Sequence, residues 1–221
     1  MAGDAAHVNT PVGAQGMNTC LHDAFNLVWK LAFVIKHKAK PSLLDTYSTE
    51  RSGISRGFAH YADTVFRIVT SNNVVVKFFR LYVLKVLLKV LFSLMEKRRS
   101  FRRIFFTSIS QIGIHYRDRI LNYTTSEGYF SRKAPRPGDR LPYIEFYYDG
   151  RNTNNYKMVN VACFNLFVLA NAIPFEIKEI AEKYNLAVEL VAYLPETINF
   201  YKSLGIKNMG YYLVRPDMHI A

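Results

Sequence analysis

Apolar residues recur three and four positions apart at Leu21, Ala24, Phe25, Val28, Leu31, Ala32 and Ile35, the period of an amphipathic helix. The spacing predicts a helix over residues 17–37, with Asn18 or Thr19 as cap. Lys36, His37, Lys38 and Lys40 gather at its end, where cations suit the helix dipole, and Pro41 stops it. A second helix starts at Leu43-Leu44-Asp45-Thr46-Tyr47 and runs through Glu50 and Arg51. Gly53 and Gly57 weaken the pattern before Phe58 resumes it. Residues 74–95 are strongly apolar, yet Lys77, Arg80, Lys85 and Lys89 lie inside them. Four central cations oppose membrane spanning. At the helical period they share one half of the circumference, so the segment reads as an amphipathic helix whose apolar face enters a core. Residues 96–103 read as a basic turn.

Beyond Pro135-Arg136-Pro137-Gly138-Asp139 the period changes. Residues 159–169 and 187–194 read as strands, and 174–184 and 195–204 as helices. Residues 210–220 read as two short strands about Arg215-Pro216-Asp217. The order βαβαββ fits a small α/β sandwich. The fold class expected is α/β: a glycine-rich loop with helices, then a helical segment, then a small α/β domain.

Charge sharpens that division. The chain has 221 residues and a net charge of +12. Residues 1–73 hold 7 basic and 5 acidic side chains, residues 74–140 hold 15 and 4, and residues 141–221 hold 7 and 8. The excess is therefore local to the middle, where it suits a solvated helix face, an anionic membrane or nucleic acid. No zinc spacing, recognition helix or RNP-type motif accompanies it, so no nucleic-acid partner is expected. Cys20 and Cys163 stand in no metal or redox spacing, so no metal site is expected. Two reduced thiols and a small, polar N-terminus suggest the cytoplasm.

The chemistry concentrates at the start. Gly3-Asp4-Ala5-Ala6-His7 is followed by Pro11-Val12-Gly13-Ala14-Gln15-Gly16-Met17-Asn18 and then by Asp23-Ala24-Phe25-Asn26-Leu27-Val28-Trp29-Lys30-Leu31. A turn with one acid, a Pro/Gly loop and a helix start bring backbone N–H groups and a carboxylate to a polar cofactor. These residues resemble the second flavin-binding motif of single-component FAD-dependent aromatic hydroxylases, the phenol hydroxylase and p-hydroxybenzoate hydroxylase group. Ala14 stands where many members have glycine, and Cys20-Leu21 where a small residue is common. Leu43-Leu44-Asp45-Thr46-Tyr47 with Glu50-Arg51, His115-Tyr116-Arg117 and Leu213-Val214-Arg215-Pro216-Asp217 resemble later parts of the same family. The last of these resembles the end of its thioredoxin-like domain.

The resemblance implies FAD as cofactor, NAD(P)H as reductant and a phenolic substrate. It implies an FAD-binding portion over residues 1–125 and a thioredoxin-like domain over 126–221. By the same resemblance Asp4 bonds the ribityl chain, Pro11 lies beside the isoalloxazine ring, and Gly13 and Gly16 let the backbone approach. The N–H groups around Met17 and Asn18 face the reduced flavin's negative edge. It assigns no catalytic side chain here. His7 is expected in a supporting role, and Trp29 in a core with Leu21, Phe25 and Ala32.

A family member also needs a Gly-x-Gly-x-x-Gly turn for the ADP half. None occurs in the 221 residues. The chain thus resembles a C-terminal fragment of a monooxygenase, expected to hold FAD weakly or not at all, to be inactive alone, and to leave exposed the face of helix 17–37 that packs on the missing sheet in the family. The alternatives are a non-catalytic accessory module, pairing with a second copy or with the missing half, and a basic protein of membranes or nucleic acid.

Overall fold

The computed structural model describes residues 1–7, 15–117, 121, 130–131, 134–148 and 150–221. The chain is mixed α/β and divides into two compact units, Met1–Gly113 and Ile114–Ala221.

The first unit opens on a 3-10 turn, Gly3–Ala5, and continues into α1 (Gly16–Ile35) and α2 (Asp45–Thr70). Neither expected residue caps α1. Gln15 holds the cap position without a side-chain bond, and Thr19 Oγ1 instead bonds back to the Gln15 carbonyl at 2.9 Å. Lys36 and a left-handed His37 close the helix. Gly53 and Gly57 do not interrupt α2, because both sit on its exposed side with open space around them.

The facing of α1 departs from the core expected for Leu21 and Phe25 and agrees with the open face expected for this helix. Its apolar stripe is exposed, from Met17 (73 %) through Leu21, Phe25 (58 %) and Val28 to Ile35 (71 %). The side that packs on α2 is polar: Thr19, Asp23, Asn26 and Lys30 are buried with Glu50 and Arg51. Trp29 is buried as expected, but without Leu21 or Phe25. Matched charges and hydrogen bonds make such a polar seam tolerable.

The basic middle is helical almost throughout. α3 (Val74–Phe78), a π turn (Phe79–Val83) and α4 (Leu84–Lys97) run on from one another, and α5 covers Arg99–Ile109. The expected turn over 96–103 shrinks to Arg98, whose extended backbone separates α4 from α5. The apolar face of 74–95 enters no core: no residue from 63 to 110 is buried.

The second unit contains a hairpin, β1 (Glu145–Tyr148) with β2 (Arg151–Asn154), and a three-stranded sheet. In that sheet β3 (Asn165–Leu169) lies between β4 (Ala187–Val191), parallel to it, and β5 (Gly210–Val214), antiparallel. Helix α6 (Phe175–Tyr184) makes the parallel crossover, and α7 (Ile198–Ser203) follows β4. Alternation along β3 divides the core. Phe167 and Leu169 join a cluster with Phe146, Phe200, Leu204 and Val214, while Leu166 and Val168 face Ile177 and Leu213. The strand is shorter than expected. The Asn165 side chain bonds the main chain of Asn160 twice, accepting from its amide at 2.7 Å and donating to its carbonyl at 2.9 Å, which keeps residues 160–164 out of the ladder. The second strand likewise ends at Val191, three residues early.

Candidate functional site

Asp23 organises the N-terminal turn. Its carboxylate accepts from Arg51 Nε at 2.7 Å and from the Gly3 amide at 3.2 Å, and His7 Nε2 lies 2.6 Å from it. Gly3 has φ +59°, a conformation that L side chains rarely adopt, and a Cβ there would lie in van der Waals contact with Cys20 at 3.4 Å. The turn is thus seated on the first turns of α1 by backbone shape and one buried carboxylate. His7 takes the supporting role expected of it.

Asp4 remains exposed on that turn. Cys20 Sγ reaches its Oδ1 at 3.4 Å, and burial, then Asp4, pushes the Cys20 thiol up. Gly16, Met17 and Asn18 form the start of α1, which carries no acid in its first turn and no side-chain cap. The amide of Asn18 also reaches back to the Ile109 carbonyl at 3.3 Å. Pro11 and Gly13 lie outside the described residues. The structure therefore brings Asp4, Gly16, Met17 and Asn18 to one end of α1 and is silent on the other two.

Sequence reasoning missed Gln111, a left-handed, buried residue just past α5. Its Nε2 donates to Gln15 Oε1 (2.9 Å) and Thr19 Oγ1 (3.0 Å) at the same helix start. Its Oε1 has no partner among the described residues. Nothing in the local pattern marks it, because its partners lie 92 and 96 positions away. Further along α1, Lys30 Nζ bonds Glu50 Oε2 at 2.8 Å and Asn26 Oδ1 at 2.9 Å.

A second buried ionic cluster lies in the other unit. Arg215 holds Asp217 in two bonds, 3.0 and 2.6 Å, and its guanidinium lies over Tyr116. His219 stacks on Tyr116 with ring centres 4.4 Å apart. Burial disfavours the Asp217 carboxylate, but hydrogen bonding from His219 and the Arg215 charge outweigh it, holding the carboxyl well below the usual range. A folded-state value below the unfolded one means stability present above the unfolded value, about 3.9, and lost as pH falls below it. Stability of this unit is expected to hold from neutrality to about pH 5 and to drop below about pH 4. Asp217→Asn should flatten that drop in denaturant titrations; an unchanged acid limb would refute the assignment.

Residues 1–61 match the FAD binding domain family. The whole chain aligns with 6-methylpretetramide 4-monooxygenase of Streptomyces rimosus at 29% identity, covering 40% of that protein. It aligns likewise with tetracenomycin B2 monooxygenase-dioxygenase of Streptomyces olivaceus at 29%, covering 38%. A fungal monooxygenase of Claviceps purpurea is 57% identical over 51 residues, 23% of this chain and 10% of that one. Among solved structures, CabE, an aromatic hydroxylase from angucycline biosynthesis, superposes with a TM-score of 0.65 at 25% identity. All of this chain and 40% of that one are covered. The flavin-dependent monooxygenase PieE, at 24% identity and TM-score 0.67, shares the fold. The chain spans about two fifths of the length of the relatives it matches end to end. Over its full length the chain is similar to monooxygenases, among them an aromatic hydroxylase of solved structure, and its first 61 residues carry the sequence of the FAD binding domain family.

Proposed function

We propose that residues 1–18 form the flavin-facing part of an FAD site in an NAD(P)H-dependent monooxygenase that hydroxylates a phenolic ring. One observation carries this reading: the Gly3–Ala5 turn is clamped onto α1 by Asp23, which sets the exposed Asp4 carboxylate at a helix start free of acids. That donor set fits the group. A carboxylate only accepts, and ribityl hydroxyls donate. Backbone N–H groups of Gly16, Met17 and Asn18 at a positive helix end suit a flavin edge that gains negative charge. Pro11 and Gly13 enter this reading through the motif alone. FAD, when bound, supplies hydride acceptance and oxygen activation. The residues named here hold and orient it.

The ADP half has no binding turn within these 221 residues. The remaining hydrogen bonds contribute about 0.5–1.5 kcal/mol each, against an association cost of about 4 kcal/mol or more. The chain alone is therefore inactive in this reading, and the ADP site comes from sequence outside it. The purified chain should be colourless, and riboflavin and FAD should bind it with the same affinity, on the order of millimolar. Asp4→Ala should abolish that binding in a flavin-fluorescence titration. One tightly held FAD per purified chain would refute the half-site, and no binding of either flavin would refute the flavin-facing role.

The second unit we read as thioredoxin-like, supported by the parallel β3–β4 pair crossed by α6 and the antiparallel β5. It then serves packing or pairing, with a second copy or the missing half as partner. Free Cys20 and Cys163 suit a cytoplasmic protein.

A further inference from the structure

We propose that Gln111 is a positioning residue of the flavin site, which rests on the reading that the start of α1 faces flavin. Its amide locks the peptide joining Gln15 to Gly16 and so aims the first N–H of α1 at the flavin edge that gains negative charge. Gln111 is 2 % exposed and lies just past α5. Two features make it costly where it stands. Its backbone is left-handed at φ +56°, and its buried Oε1 has no partner among the described residues. A residue kept at such a cost is held there by its surroundings, and functional sites are where such residues gather.

Its other polar atom works at the start of α1. Gln111 Nε2 donates to the Gln15 carbonyl at 3.3 Å, to Gln15 Oε1 at 2.9 Å and to Thr19 Oγ1 at 3.0 Å. The same carbonyl accepts from the Thr19 amide at 3.0 Å and the Thr19 hydroxyl at 2.9 Å. A carbonyl and the N–H that follows it lie antiparallel in one planar unit, so fixing the Gln15 oxygen fixes the Gly16 N–H. Gly16 has no Cβ to restrict its backbone, and the peptide turns readily without that hold. Gln111 also occupies Gln15 Oε1, the side-chain acceptor at the cap position, and keeps it from folding over the N–H groups of Met17 and Asn18. Asn18 is drawn the same way, its Nδ2 donating to the Ile109 carbonyl at 3.3 Å. The end of α5 thus pulls two polar side chains toward itself and leaves α1 with no side-chain cap. Gln111 is buried and acts on flavin only through Gln15. An N–H fixed in this way discriminates between flavin states, because a hydrogen bond to a charged acceptor is about twice as strong as one to a neutral acceptor.

The test uses the full chain and riboflavin, oxidised and dithionite-reduced, in anaerobic equilibrium dialysis. The parent should bind reduced riboflavin about tenfold more tightly than oxidised. Gln111→Met keeps the volume and removes the donors, and should cut that preference to less than about twofold, with the fold checked by circular dichroism. Gln111→Gly, which suits the left-handed backbone, should do the same and serves where the Met variant does not fold. Nitrogen-15 relaxation reads the peptide without flavin. The Gly16 amide should be rigid in the parent, with an order parameter of about 0.85, and fall below about 0.6 in both variants. A parent that prefers reduced riboflavin, with variants that bind both forms alike, supports this role. Variants that keep the preference, or keep a rigid Gly16 amide, overturn it and leave the flavin-facing reading standing, as does a parent that binds both forms equally. A parent that binds neither form overturns both.

Discussion

Glu50→Ala lowers the stability of the helical unit by about 3–5 kcal/mol, enough to unfold it near room temperature. Lys30 and Glu50 each have side chains with 0% exposure, and their charges meet at 2.8 Å. Removing the carboxylate leaves the buried ammonium without the anion it faces, so less of its desolvation is offset. Asn26 loses its acceptor in the same change, since its Nδ2 donates to Glu50 Oε2 at 2.7 Å. The measurement is helical circular dichroism against denaturant. The paired control, Lys30→Met with Glu50→Leu, should recover most of the loss, because apolar residues of similar volume replace a buried ion pair at little cost. If Glu50→Ala lies within about 1 kcal/mol of the parent, the seam is not what joins α1 to α2.

Gly138→Ala destabilises the second unit by at least about 3 kcal/mol. The glycine has φ +85°, where an L side chain is strained, and its Cβ would sit 2.5 Å from the Arg117 amide and 2.6 Å from the Tyr116 carbonyl carbon. Those atoms are backbone and have no rotamer to yield. The Gly138 carbonyl also accepts from the Tyr116 amide at 2.7 Å, and its own amide donates to the Ile220 carbonyl at 2.8 Å. Moving aside breaks both bonds and disturbs Tyr116 under Arg215 and His219. A thermal transition of the second unit within a degree or two of the parent would refute this.

Much of the fold is legible in the sequence, for reasons that individual elements make plain. Helix α6 carries its own boundaries, with Pro174 before it and a left-handed Asn185 after it. The strand β3 announces itself by five consecutive buried residues. The hairpin β1–β2 escapes hydrophobic periodicity, because its strands are four residues each and β2 is polar throughout. What periodicity gets wrong is direction. It locates α1 and α4 as amphipathic helices but places the apolar face of 74–95, and Leu21 and Phe25 of α1, in a core, because a stripe says which residues are alike and not which side is covered. The covered side of α1 is decided by charges that meet across 20 to 28 positions, Lys30 with Glu50 and Asp23 with Arg51. The site follows the same rule. Asp4 and the helix start come from a contiguous motif, while Gln111, which bonds Gln15 from 96 positions away, has no local signature.

The bonds at Gly138 have a further consequence. Tyr116, three residues into the second unit, and Ile220, one residue from its end, both bond to the same glycine. Entry and exit of that unit are therefore neighbours in space, although more than a hundred positions separate them. A unit closed in this way can have its ends joined by a short linker and be opened elsewhere, for instance at the exposed Gly150, without cutting its sheet.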